Sequence, residues 1–172
     1  MVIYDNFYTL GSLCFYVAPY YLVEGGNIYV VVFSENVYRN AKKVYEYALK
    51  NYPMILKFIS RIGVVKIGVK DENSFGGYCK FIHQYCDWID KLVEVLNQTD
   101  GNDIISFFGL SPCTPIYKEK VPEYFLRIYN SIPEGVTVFC PYYKKTYDLY
   151  PSDFVDLLHD VVFYIRKNNA LF

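Results

Sequence analysis

Residues 27–36, NIYVVVFSEN, form the stretch that most constrains the fold of this chain. A run of β-branched and aromatic residues ends abruptly in three polar ones, which predicts a strand buried on both faces. Such a strand needs cover on both sides, as in the parallel sheets of α/β proteins, where ligands bind beyond the carboxyl ends of the strands. We therefore expect Ser34, Glu35 and Asn36 at the ligand-binding edge of a sheet.

Strand and helix patterns alternate along the rest of the chain. Further strands are predicted at residues 1–4, 64–69, 103–110, 136–141 and 161–166. Helices are predicted at residues 12–23, 37–49, 53–61, 76–96 and 121–131, with Gly63 ending the third and a short sixth helix starting at residue 151. This alternation predicts an α/β fold, in which a mostly parallel sheet with right-handed crossovers carries helices on both faces.

Length, charge and cysteine usage limit the classes of protein that fit. The 172 residues suit one core better than two, so we expect a single domain over residues 1–172. Lys plus Arg number 17 against 18 Asp plus Glu, and this balance gives no electrostatic argument for nucleic acid or an anionic membrane. Residues 13–23 form the longest apolar stretch, which is too short to span a bilayer and is preceded by no Lys or Arg, so we expect neither a membrane span nor a targeting segment. Five scattered cysteines favour reduced thiols and a cytoplasmic location.

Cys79, His83 and Cys86 share one face of the helix predicted at residues 76–96. Their C-x3-H-x2-C spacing allows two interpretations, a soft-metal site or ordinary core packing. Structural zinc sites normally use cysteine pairs carried by turns, and both cysteines lie in the apolar stripe of the helix. Core packing is therefore the favoured interpretation, and no bound metal is expected.

Two further sets of residues are candidates for chemistry. Cys113 lies in a loop that follows a predicted strand, where it is either a nucleophile or an ordinary loop thiol. Glu35 is either a general base or a neighbour of a helix cap formed by Ser34 or Asn36, and capping explains these residues without any chemistry. The ordinary interpretation is favoured for both sets.

Residues 141–151, PYYKKTYDLYP, are predicted to form an aromatic loop. Interleaved rings and cations can stack nucleic-acid bases or cover a partner protein, whereas a surface loop folded onto its own domain is the plain alternative. The near-neutral charge of the chain favours protein contact as the functional interpretation. The interaction candidates are Tyr142, Tyr143, Tyr147 and Tyr150, with Lys144 and Lys145 beside them.

The order of these segments resembles a known family over nearly the whole chain. VIYDNFYTLGS, the apolar helix, EGG and NIYVVVFSEN are similar to the first strand, phosphate loop, helix, turn and second strand of the KaiC family of RecA-like P-loop ATPases. DIISFFGLSP, GVTVFCP and FVDLLHDVVFYIRKN are similar to its later strands, the first of which normally ends in a metal-holding Asp. The resemblance implies a RecA-like three-layer α/β/α fold.

Departures from the family pattern affect the catalytic residues. A phosphate loop needs glycines, a lysine that neutralises phosphate charge, and a Ser or Thr that holds magnesium. Here Ser12 takes the last place, but Gly11 stands where the lysine should be, and both remain only candidates for nucleotide binding. Phe108 or Gly109 replaces the metal-holding Asp, and Glu35 alone matches the position of a catalytic carboxylate. Phosphoryl transfer depends on these missing charges.

The sequence therefore predicts a non-catalytic RecA/KaiC-like module without a cofactor. We expect it to bind a protein partner, or further copies of itself, through aromatic loops at the carboxyl ends of the strands and the nearby sheet edge. The alternative is a weak or atypical nucleotide-binding enzyme that uses ATP and magnesium in a crevice around Glu35, with Cys113 as a second candidate.

Overall fold

Strands and helices alternate along the chain in the computed structural model, which describes residues 2–4, 20–71, 74–109, 120–143, 160 and 163–165. The strands are β1 (Val2–Tyr4), β2 (Ile28–Phe33), β3 (Ile62–Gly68), β4 (Tyr78–His83), β5 (Ile104–Phe108), β6 (Thr137–Phe139), β7 (Pro141–Tyr143) and β8 (Phe163–Ile165). The helices are α1 (Glu35–Asn51), a 3₁₀ helix (Pro53–Arg61), α2 (Trp88–Leu96) and α3 (Val121–Asn130), and residues 20–23 are also helical.

The described strands form a five-stranded sheet in the order β4-β3-β2-β5-β6 and a three-stranded sheet in the order β7-β1-β8. Every pairing is parallel. Cys140 alone separates β6 from β7, so the chain passes directly from the first sheet into the second. β2 lies between β3 and β5, which confirms the central position predicted for residues 27–36.

Helices cover the five-stranded sheet on both faces. Val31 and Phe107 are fully buried on the face covered by α2 and α3. Val32 is fully buried on the opposite face, against Tyr38 of α1. Successive residues of β2 therefore enter two different cores, which explains why this strand is apolar throughout. The α/β fold predicted from the sequence is confirmed, and its layers are consistent with an α/β/α arrangement.

The prediction of one helix over residues 76–96 is wrong for its first half. β4 occupies that half and pairs with β3 from Tyr78 to His83, while only α2 is helical. Gly76 adopts φ +86°, which glycine tolerates readily, and the Gly77 N–H donates a hydrogen bond to the Ile62 carbonyl at 2.9 Å. This turn brings the following residues alongside β3, so sheet pairing overrides a helical spacing that arose by coincidence.

Two smaller differences concern strand ends. Gly63 does not lie at the end of the 3₁₀ helix but inside β3. Tyr142 and Tyr143, predicted to lie in the aromatic loop, belong to β7, because their backbone pairs with Ile3 and Tyr4 of β1. Tyr147 and Tyr150 lie outside the described residues, as do the short helix predicted from residue 151 and most of the helix predicted at residues 12–23.

Candidate functional site

The carboxyl ends of the parallel strands lie along one edge of the sheet, where Ser34 connects β2 to α1. Its backbone has φ 80° and ψ 153°, a conformation that is uncommon outside glycine and costs about 1–3 kcal/mol. Two hydrogen bonds hold it there. The Ser34 N–H donates to the Ile67 carbonyl at 3.0 Å, and the Tyr38 N–H donates to the Ser34 carbonyl at 3.1 Å. The chain therefore turns sharply from strand to helix within one residue.

Glu35, the first residue of α1, is bonded to the backbone that follows β3. Its Oε1 accepts hydrogen bonds from the Val69 N–H at 2.8 Å and from the Lys70 N–H at 3.0 Å. The same oxygen lies 3.8 Å from the Nζ atom of Lys66. We call this arrangement of Glu35, Lys66 and the backbone of residues 69–70 the Glu35–Lys66 clamp.

The clamp keeps Glu35 ionised. Partial burial of this carboxyl would raise its pKa, but the hydrogen bonds from Lys70 and Val69 and the Lys66 ammonium lower it below the ordinary value. A carboxylate whose pKa is lowered is a weaker base than a free one, and Oε1 of this carboxylate already accepts two hydrogen bonds. These properties suit a structural anion better than a catalytic base.

Lys66 lies in the middle of the sheet, with 1% of its surface exposed. Its ammonium donates to the Lys70 carbonyl, and it lies 4.6 Å from the ring centroid of Tyr38 and 5.9 Å from that of Phe81. Buried ammonium groups need such partners, because removing a charge from water is costly. Lys66 and Glu35 thus both bond to the backbone of residues 69–70, Lys66 to a carbonyl group and Glu35 to two N–H groups.

Gly68 leaves the space that the clamp occupies. A Cβ atom at this position would lie 2.6 Å from Oε1 of Glu35 and 3.3 Å from Cε of Lys66. The close approach of the two charged side chains to β3 therefore requires a residue without a side chain at the end of that strand.

The polar residues at this edge make different contacts from those that the sequence predicts. Ser34 occupies the cap position of α1, but its side chain makes no capping hydrogen bond, and Asn36 lies inside the helix. The predicted cap position is therefore correct for Ser34, although its side chain makes no capping bond, and wrong for Asn36. Lys66 was missed, although a lone lysine within the apolar run VVKIGV is a signal that a buried strand carries a charge needing a partner.

Cys79, His83 and Cys86 do not share a helix face. Cys79 and His83 lie at opposite ends of β4, four residues or about 13 Å apart along an extended strand, whereas zinc ligands must come within about 2.3 Å of one ion. Cys79 is partly buried against the core beneath α1, but Cys86 is exposed, so core packing holds for only one of the cysteines. Among the described residues, no group of three or more His, Cys, Asp or Glu is placed to hold a metal ion.

Five sequence candidates lie outside the described residues, namely Gly11, Ser12, Cys113, Tyr147 and Tyr150. Tyr142 and Tyr143 are described only through their backbone in β7. The nucleotide-binding and aromatic-loop hypotheses for these residues therefore stay predictions. None of the helices in the described part of the chain has both the length and the apolar character needed to cross a bilayer.

Comparisons with known proteins bear on the fold. No protein-family model matches this chain, and no curated protein matches it. A solved structure does match. It is described as "Structural study of Project ID PH0250 from Pyrococcus horikoshii OT3", and it is 19% identical with a TM-score of 0.62 over 96% of this chain and 80% of that one. At this identity the likeness shows a shared fold alone.

Proposed function

We propose that this chain is a non-catalytic module with a RecA-like core, and that it works by binding another protein. The observation that supports this proposal is that Glu35 already makes hydrogen bonds within the chain. This residue alone matches the position of a family catalytic carboxylate, yet its Oε1 is bonded to two backbone N–H groups beside Lys66. Lys66 does not supply the missing phosphate-binding lysine, because its ammonium is buried and bonded to the Lys70 carbonyl.

The arrangement of the strands also supports a RecA-like core. The segments that resemble the family's first, second and later strands include β1, β2, β5, β6, β7 and β8, all of which run parallel. The family's phosphate loop and acidic residues follow such strands, and in this chain Glu35 directly follows β2 and Ser34. The free thiols of Cys79, Cys86 and Cys140 fit the reducing environment of the cytoplasm, which we propose as the location.

An exposed apolar surface gives the module a place to bind. Tyr47, Tyr52, Met54 and Leu56 are each more than half exposed and lie within ten residues, at the end of α1 and the start of the 3₁₀ helix. We call these four residues the 47–56 surface. Aromatic residues and Met are enriched in protein interfaces, so these exposed side chains support a binding role for this segment.

The charges around the 47–56 surface indicate what the partner must offer. Lys50 lies within this segment and Lys57 directly follows it, and both side chains are exposed. A partner with an apolar centre and an acidic rim would match both features. The 3₁₀ helix leads directly into the amino end of β3, so this surface lies at the sheet edge opposite the Glu35–Lys66 clamp.

Magnesium-ATP, ADP and a non-hydrolysable ATP analogue are expected to leave the thermal unfolding temperature of the chain unchanged. A nucleotide present at about a hundred times its dissociation constant would add roughly 2.7 kcal/mol to the free energy of unfolding, so millimolar ligand would reveal even weak binding. The measurement is a melting curve with each nucleotide, with and without magnesium. A magnesium-dependent rise in the wild type would contradict the proposal and favour the nucleotide-binding alternative.

The double variant Met54→Ser and Leu56→Ser is expected to lose a protein partner that the wild type retains, at unchanged stability. Both side chains are exposed, so their replacement should alter the free energy of unfolding by no more than about 0.5 kcal/mol each. The measurement compares retention of acidic proteins from a lysate on immobilised wild type and variant. Leu126→Ser on α3 is the matched control, because Leu126 is 42% exposed but lies on another helix. Equal retention by all three proteins would exclude the 47–56 surface as the binding site.

A further inference from the structure

Among the described strands, none pairs with the side of β4 that faces away from β3. β4 is the last strand in the order β4-β3-β2-β5-β6, and β3 is its one neighbour among the described strands. An edge of this kind presents backbone N–H and C=O groups that can pair with a further strand. β4 contains six residues without Pro, and Lys80 is its one lysine.

Two hydrogen bonds show which backbone groups of β4 face outwards. The Ile67 carbonyl accepts from Ser34, on the side of β2, whereas the Gly68 carbonyl accepts from the Gln84 N–H at 2.9 Å, on the side of β4. Backbone groups alternate along a strand, so the N–H groups of residues 80, 82 and 84 face β3. Those of Cys79, Phe81 and His83 therefore face away from the sheet.

From this pattern, and resting on the proposed protein-binding function, we propose that β4 pairs antiparallel with β4 of a second copy of this chain. The two-fold axis passes beside Phe81, so that Phe81 lies opposite the same residue of the other copy and Cys79 lies opposite His83. In this register every outward-facing residue of β4 is paired with another, and the two sheets become one. An axis beside Lys80 is disfavoured because two ammonium groups would lie opposite each other.

The side chains of β4 and the following turn favour a copy of the same chain as the partner. The ring centroids of Phe81 and His83 lie 6.1 Å apart, and those of His83 and Tyr85 lie 5.6 Å apart, which forms an aromatic row that ends at the strand centre. Pairing about Phe81 continues this row into the second copy. Tyr78 and Tyr85, 44% and 76% exposed, stand at opposite ends of the strand, so antiparallel pairing brings Tyr78 of one copy near Tyr85 of the other.

The Phe81 register also keeps like charges from facing each other. In the Phe81 register, Lys80 lies opposite Ile82 and not opposite another lysine. The whole chain carries a formal net charge of -1, so two copies repel each other only weakly. The pairing is isologous, because each copy contributes the same side of β4. Neither copy then has this side of β4 left for a third chain, so the assembly closes at two chains.

Sedimentation over a concentration series tests the pairing on the full-length chain. The wild type is expected to form a dimer that dissociates on dilution. Cys79→Pro removes an outward N–H from each copy without removing a hydrogen bond to β3, so it should raise the dissociation constant about tenfold or more. Cys79→Ala, which keeps the N–H, is the matched control and should stay dimeric, and comparison of the melting curves of the two variants verifies that the proline variant is folded. A wild type that stays monomeric at all concentrations, or a folded Cys79→Pro variant as dimeric as the control, would overturn the proposal.

Disulfide trapping tests the register. In a chain whose five native cysteines are replaced by alanine, Phe81→Cys should form an intermolecular disulfide under mild oxidation, because directly opposed residues of a hydrogen-bonded pair lie about 5.5 Å apart. Lys80→Cys in the same background should not, since its counterpart is a diagonal neighbour at about 7–8 Å. Equal cross-linking of both variants, or none in either, would overturn the register. The nucleotide melting curves and the 47–56 variant remain independent of these results, so failure of the pairing is distinguishable from failure of the proposed function.

Discussion

Replacing Glu35 with alanine is expected to lower the free energy of unfolding by about 3 kcal/mol, because it removes a partly buried carboxylate that accepts two backbone hydrogen bonds beside a buried ammonium. Oε1 of Glu35 accepts from the Val69 and Lys70 N–H groups, and both would lose their acceptor. The ammonium of Lys66, at 1% exposure, would lose the carboxylate that lies 3.8 Å away. Urea unfolding of the wild type and the variant measures the difference.

Two further variants separate charge from hydrogen bonding at the clamp. Glu35→Gln keeps an acceptor for the two N–H groups but removes the charge, so its cost should be smaller, about 1–3 kcal/mol. Adding Lys66→Met to Glu35→Gln removes both charges and should recover part of the loss, since paired buried charges are often replaceable by apolar groups of similar volume. A double variant that is no more stable than Glu35→Gln alone would contradict an ionic role for Glu35.

The pH dependence of stability gives the clamp a second signature. The pKa of Glu35 is lowered in the folded state, so the carboxylate stabilises the fold above its ordinary pKa near 4.5, and this contribution is lost as the pH falls through the folded value. Glu35→Gln has no such contribution. The stability difference between the wild type and this variant should therefore be constant near neutral pH and shrink on acidification below about pH 4.5.

The sheet was more predictable from the sequence than the residues at its edge. The apolar run in residues 27–36 must be buried on both faces whatever its neighbours, so β2 follows from composition alone. β4 was missed because pairing with β3 decides its conformation, and Cys79 and Ile82 happen to match a helical spacing. Local patterns report burial, whereas the choice between strand and helix for a short segment depends on contacts with residues far away in the chain.

Glu35 also shows that local sequence patterns do not reveal contacts with distant residues. Its position after β2 was predicted correctly, since strand ends and helix starts leave clear signals. Its partners were not, because Val69 and Lys70 lie more than thirty residues further along the chain. Lys66 carried a local signal, a charge within an apolar strand, but only the parallel register places that charge beside α1. The contacts that hold this carboxylate therefore become visible only in the fold.

Replacing Asp103 with alanine is expected to lower the free energy of unfolding by about 3 kcal/mol, because it leaves three hydrogen-bond donors without their acceptor. Oδ1 of Asp103 accepts from the backbone N–H of Asn27 at 2.9 Å and from its side-chain amide at 2.8 Å, and Oδ2 accepts from the Asp100 N–H at 3.1 Å. The side chain is 2% exposed and joins the start of β2 to the start of β5. Asp100→Ala is the matched control, with an expected cost of about 1 kcal/mol, because Asp100 is exposed and its Oδ1 accepts one bond, from Asn102.

Tyr29 provides an independent readout of the Asp103 charge. Burial raises the pKa of the Tyr29 hydroxyl, and the negative charges of Asp103 and Asp100 raise it further, so Asp103→Ala should lower this pKa in a spectroscopic titration. A pKa of Tyr29 that does not change would contradict an ionised Asp103.

The outcome also bears on function, because Asp103 is the acidic residue of the strand that in the resembled family ends in a metal-holding Asp. It lies at the amino end of β5, about 16 Å along the strand from Phe108, and so belongs to the opposite edge of the sheet from the Glu35–Lys66 clamp. Asp103 therefore does not occupy the position of the metal-holding Asp of the resembled family.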